Sequence, residues 1–151
     1  MSKAEEELNK WLKFAEENFE IAELLFSNLD SCPYYIQLGY WSQMTAVNYL
    51  KCFLISAGEQ PLPLYNLHQL LYQCEKYEKA FKSISKYCDI LDRYCDEEGF
   101  ERMFVDGHYG ETFFEVNDKQ EVIAAFKAAK EIRDFVLALI AHKNQEKQQL
   151  H

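Results

Sequence analysis

Glycine and proline are scarce in this chain, five and three among 151 residues, and they punctuate a helical periodicity at a few places only. That nearly unbroken helical pattern excludes most sheet folds. Long apolar runs are missing too: none approaches the roughly 18 residues that span a bilayer, and the opening MSKAEEELNKWLKF has no continuous apolar stretch of the signal-peptide kind. A cytoplasmic protein without a membrane segment is expected. Cysteine is unpatterned: Cys32, Cys52, Cys74, Cys88 and Cys95 are odd in number and never spaced as C-x-x-C, which argues against a disulfide framework and a zinc knuckle. Reduced core thiols are expected, with no metal and no cofactor. Basic residues are outnumbered, 16 against 25 acidic, and the net charge of −9 repels polyanions at long range. Broad electrostatic capture of nucleic acid is therefore disfavoured, and DNA is not an expected partner. Also absent are G-x-x-x-x-G-K, G-x-G-x-x-G, H-E-x-x-H, a nucleophile elbow and the Glu-x-x-His pairs of a di-iron bundle.

What is present suffices for a packed core: 48% hydrophobic and 15% aromatic residues, with one domain expected over residues 1–143 and a polar tail over 144–151. Ser2 with Glu5 resembles a capping box opening a first helix, whose apolar residues recur at Leu8, Leu12, Ala15, Phe19, Ala22, Phe26 and Leu29. A second stripe, Trp11, Phe14, Ile21 and Leu25, predicts that this helix is covered on more than one side, by the chain itself or by another subunit. Pro33 leads into a second helix running to about Ala57, with Gly58 as its C-terminal cap. Asn66 and Gln69 open a third helix to about Tyr77, and a further helical segment spans about Lys79 to Tyr94. The final helix is predicted from Asn117 to about Lys143, with core residues Val122, Ala125, Phe126, Ala129, Ile132, Val136 and Leu139, and with a tail that frays. Phe135 and Ala138 lie off that stripe. The expected architecture is all-α, an up-and-down bundle of four to five helices, and the surplus apolar surface predicts a homodimer.

Only a local basic patch could bind an anion on so acidic a chain. Lys79, Lys82 and Lys86 fall near one helix face with Arg93 two turns on, though a solvated face explains them more simply. Lys51 stands on the largely apolar second helix, where its stem can pack while the ammonium reaches a carboxylate; a phosphate ligand is the rival reading. His68, in the first turn of the third helix, favours a structural hydrogen bond over a ligand. Gln43 and Asn48 suit hydrogen bonds between helices, and His142 suits a helix C-terminus. In GFERMFVDGHYGETFF, Arg102 and His108 have the residue types a metal-independent ribonuclease needs: a cation to hold phosphate and an imidazole to move a proton. Asp106-Gly107, a turn signal, stands between them.

The second helix, YWSQMTAVNYLKCFLISAG, resembles the HEPN family of small all-helical bacterial and archaeal proteins. Gln43, Ala46, Leu50, Lys51 and Leu54 match the family's segment there, whereas Met44, Val47 and Asn48 depart from it. NLHQLL supplies His68 and Leu70 at the family's next motif, His-x-Leu. Trp11 with the Ala15-to-Ala22 region resembles the first helix of the family, and AAFKAAKEIRDFVLALI its last, so the resemblance spans about residues 8 to 140. It implies a helical bundle that commonly dimerises and is often encoded beside a small nucleotidyltransferase as a toxin-antitoxin-like pair. It also implies two kinds of member: ribonucleases carrying Arg, four to six residues, then His, and modules that bind a nucleotide or a partner. In the second kind the loop before the last helix often reads Ala-Arg-Tyr-Pro. GHYG looks like its counterpart, with His108 at the Arg and Tyr109 at the Tyr. The leading expectation is a homodimeric interaction or nucleotide-binding module, with Lys51, His68, Tyr109, Lys79, Lys82 and Lys86 as its ligand or partner residues. The alternative is a metal-independent endoribonuclease using Arg102 and His108.

Overall fold

The computed structural model describes residues 1–63, 66–94 and 119–149. Its helices are α1 (Lys3–Ser27), α2 (Tyr35–Ser56), α3 (Leu67–Glu75), α4 (Ser85–Leu91) and α5 (Lys119–Gln149). A 3₁₀ stretch (Lys79–Ile84) leads into α4 and a 3₁₀ turn (Asp92–Tyr94) follows it. No strand occurs among the described residues, and the fold is an all-α bundle. No helix among them is long and apolar enough to cross a membrane.

The helix ends follow local chemistry. The Ser2 hydroxyl accepts from the Glu5 N–H at 3.2 Å and Asn66 Oδ1 accepts from the Gln69 N–H at 3.1 Å, each satisfying a donor that the first helical turn leaves unpaired. At the end of α2 the Gly58 N–H donates to the Ile55 carbonyl at 3.0 Å and the Glu59 N–H to the Leu54 carbonyl at 2.9 Å. This Schellman arrangement needs the left-handed φ of +82° that Gly58 adopts without a Cβ penalty.

The core is built around α2, in which every residue from Ser42 to Leu54 is buried. A helix apolar on all sides must be covered on all sides. α1 and α5 lie along it, while α3, α4 and the turn after α4 close the rest. α5 also packs on α4. Phe126 of α5 stacks on Phe19 and Phe26 of α1, with ring centroids 5.8 and 4.4 Å apart, and Phe81 meets Phe53 edge-on at 4.5 Å. Phe135 belongs to this packing as well, edge-on to Phe81 at 5.1 Å, so it is not the surplus surface that the sequence pattern implied.

Three further details differ from the expectation. α5 continues as helix to Gln149, through the segment expected to fray, and His142 is therefore not in its last turn. Its imidazole Nε2 lies 3.1 Å from Glu146 Oε1, one turn on, a pairing that supports continued helix. In the stripe of α5 the last buried residue is Ile140; Leu139 is only half-buried. Asn117, the proposed cap, lies outside the described residues.

Where α2 meets the turn after α4, the backbone comes close to the buried ring of Tyr94. A Cβ on Gly39 would stand 2.4 Å from Tyr94 Cδ1 and 2.8 Å from Cε1, both in a rigid ring. Gly39→Ala should therefore destabilise the fold by about 1–3 kcal/mol, despite the better helix propensity of alanine. Chemical denaturation should show that this loss shrinks in a Tyr94→Leu background; equal losses in both backgrounds would refute the steric account.

Candidate functional site

The second apolar stripe of α1 faces solvent only in part, at Phe14 and Ile21, where Leu24, off the stripe, adjoins it. Phe14 is 49% exposed, Ile21 39% and Leu24 66%, while Trp11 and Leu25 are half-buried at the margin of the core. Trp11 and Phe14 meet edge-on at 6.4 Å, and with Lys10 they line an open hollow of about 220 Å³. A monomer has little reason to expose three large apolar side chains within three turns of one helix, so this face has the character of a contact surface.

α1 is also fixed to the bundle by a polar cluster whose members are far apart in sequence. Arg133 of α5 grips Glu16 of α1 through Nε to Oε2 at 2.9 Å and Nη2 to Oε1 at 2.8 Å. The Tyr49 hydroxyl, from α2, also donates to Glu16 Oε2. The guanidinium further lies 4.4 Å above the ring of Phe19. Hydrogen bonding from Arg133 is the largest influence on Glu16 and holds its carboxyl below the ordinary range, against a smaller opposing effect of burial. Burial first, then the neighbouring carboxylate, pushes the Tyr49 hydroxyl up. The cluster thus joins three helices through one carboxylate.

His68, at the start of α3, is also held by carboxylates: Nε2 is 2.8 Å from Asp89 Oδ1 and 3.0 Å from Asp92 Oδ2, across the gap to α4 and its following turn. Burial raises the Asp92 carboxyl above its ordinary range, although His68 and the Leu67 backbone pull the other way. An imidazole flanked by two carboxylates makes a poor phosphate ligand and a good strut between helices. Lys51 is 8% exposed, and burial lowers its ammonium from the ordinary lysine range. Its position inside the wall of α2 suits a structural role more than an open ligand site. Gln43 and Asn48 are buried as expected, and Asn48 Nδ2 has no hydrogen-bond partner among the described residues.

Lys79, Lys82 and Lys86 are exposed along the 3₁₀ stretch and the first turn of α4, and Lys86 lies over the Tyr87 ring at 5.1 Å. Lys79 and Lys82 form no ion pair among the described residues, which leaves a small basic ridge on an acidic protein. The structure therefore separates the basic and imidazole residues singled out from the sequence: a buried lysine on α2, an acid-bound histidine on α3 and an exposed ridge before α4. Arg102, His108 and Tyr109 lie outside the described residues, as does Cys95; nothing is described of the Arg93 side chain. Cys52, Cys74 and Cys88 are buried free thiols and Cys32 is half-buried. Burial pushes Cys52 and Cys88 up to about 12, far from thiolate reactivity. Among the described residues no three His, Cys, Asp or Glu side chains are arranged to hold a metal ion.

A family model described as the HEPN domain matches residues 8–143. The crystal structure of an archaeal HEPN homologue is similar to this chain with a TM-score of 0.65 at 20% sequence identity, covering 88% of this chain and 97% of the homologue. At that identity the likeness establishes the fold. The sequence has no match among curated proteins.

The Glu16 cluster carries a pH dependence with a definite sign. Because the folded carboxyl titrates below its unfolded value of roughly 4.3, its stabilisation is complete above that value and is lost as pH falls through the folded pKa. Glu16→Gln should be less stable than wild type by roughly 1 kcal/mol at pH 7. Denaturant titrations should show the gap closing below about pH 4; a gap that stays constant to pH 2 would remove the charge from the account.

Proposed function

The chain belongs to the HEPN domain family, and from that premise we propose that it is a homodimeric interaction module of the cytoplasm without catalytic activity of its own. The observation that carries this reading is the outer face of α1, where Phe14, Ile21 and Leu24 are exposed although the core of the bundle is complete without them. The partner that the family resemblance suggests is a small nucleotidyltransferase, with the two proteins acting as a toxin-antitoxin-like pair. A nucleotide or RNA contact is assigned to the basic ridge of Lys79, Lys82 and Lys86, with Tyr109 a further binding candidate on sequence grounds. Lys51 and His68 suit structural roles better than ligand roles. Burial supports this for Lys51 and the two carboxylates support it for His68.

The competing reading is a metal-independent endoribonuclease in which Arg102 stabilises phosphate charge and His108 acts as general acid-base. Its weakness is the Asp106-Gly107 turn signal between the two residues, joined to a net charge of −9 that offers RNA no broad positive field. Removing His108 should change RNA cleavage by less than about tenfold, whereas loss of a working general acid-base costs about a hundredfold or more. Wild-type cleavage that disappears in both Arg102→Ala and His108→Ala, with each variant folded and of unchanged size in solution, would establish the nuclease instead.

A further inference from the structure

The exposed side of α1 is patterned as well as apolar. Lys10, Phe14, Glu17, Ile21, Leu24 and Asn28 recur at three- and four-residue intervals and so lie along one line of the helix surface, with Lys13 and Glu20 on one flank of it. The cations, Lys10 and Lys13, precede the anions, Glu17 and Glu20. None of these four makes an ion pair among the described residues. Glu16, by contrast, is already engaged by Arg133 and Tyr49.

That polarity selects one way for two copies to meet. Side by side and parallel, two α1 helices would oppose Lys10 to Lys10 and Glu17 to Glu17 and leave Lys13 and Glu20 of the two copies on opposite sides of the seam, unpaired. Turned end for end about a two-fold axis near Glu17 and Asn18, they place like flank against like flank, so that Lys13 of each copy approaches Glu20 of the other, twice. The same operation sets Phe14 against Ile21 of the second copy and brings Leu24 to the hollow formed by Lys10, Trp11 and Phe14. The one unfavourable juxtaposition is Glu17 near its own twin, and Lys13, one turn away on the same helix, offsets it.

We propose that a second copy of this chain docks on the outer face of α1 as an antiparallel helix pair centred near Glu17, held by Phe14, Ile21 and Leu24 and registered by the Lys13–Glu20 pairs. This rests on the dimer reading above and deepens it by naming the surface, the direction and the register. One helix face per protomer buries about 1,000 Å² or less in total, near the lower end of specific interfaces, so association in the micromolar range is expected.

Sedimentation of the full chain at 5–100 µM, about the range such an interface requires, provides the first readout. Wild type is expected to dimerise, and Phe14→Ser with Leu24→Ser is expected to be monomeric with an unchanged helical spectrum. Lys13→Glu alone should weaken dimerisation about tenfold at low salt, and adding Glu20→Lys should restore it. Cysteine scanning then reads direction: Glu17→Cys, near the axis, should give an intermolecular disulfide above the wild-type background. Asn28→Cys should not, because an antiparallel pair sets its twins about 30 Å apart at 1.5 Å rise per residue. Cross-linking of Asn28→Cys as efficient as that of Glu17→Cys would overturn the antiparallel register. A dimer indifferent to the Phe14 and Leu24 substitutions would overturn the surface while leaving the dimer reading intact, and a monomeric wild type would overturn both.

Discussion

Burial of α2 on every side is the constraint from which the rest of the bundle follows. From Ser42 to Leu54 no residue of this helix reaches solvent appreciably, so its neighbours must form a closed sleeve. α1 and α5 supply two long walls, and the shorter helices with their 3₁₀ connections fill the remaining arc. Two features mark how tightly the sleeve closes: the Tyr94 ring lies where a side chain on Gly39 would stand, and the Arg133–Glu16–Tyr49 cluster joins α5, α1 and α2 at one point. A sleeve of this kind consumes one face of each wall. α1, however, exposes Phe14, Ile21 and Leu24 on a second face, and that surplus is the ground of the association proposed above.

Much of the bundle is readable in the sequence because helix ends and core stripes are local signals. Ser2, Asn66 and Gly58 each act as their residue types and neighbours foretell, and the α1 stripe through Ala15, Phe19, Ala22 and Leu29 is the buried one. The last helix is harder to read, since its final turns are polar all round and owe their continuity to contacts such as His142 with Glu146 and Lys143 over the Phe53 ring at 4.5 Å. The polar clusters are the least legible. Glu16 and Arg133 are 117 positions apart, and nothing in either neighbourhood identifies the other. His68 is expected as a structural histidine, but its two carboxylates come from a segment whose angle to α3 only the tertiary fold sets. Phe135 shows the reverse error: off-stripe in a helical projection, it is still covered, because the 3₁₀ stretch places Phe81 over it.

The same physics bears on function. An acidic protein of net charge −9, with Lys51 buried and Lys79, Lys82 and Lys86 on a short exposed ridge, is equipped for a local anion contact and poorly equipped to capture a long polyanion. Both histidines among the described residues, His68 and His142, lie against carboxylates, which favours struts over catalysts. Membership of the HEPN family accounts for the bundle.

Native-state hydrogen exchange tests the central claim, that the bundle is organised by an enclosed α2, most directly. The account predicts that amides from Gln43 to Leu54 exchange only through global unfolding, with protection matching the stability measured by denaturant, while α1 and the polar end of α5 open at lower free energy. Exchange in α2 as fast as in α1, under conditions where the chain remains folded, would contradict it.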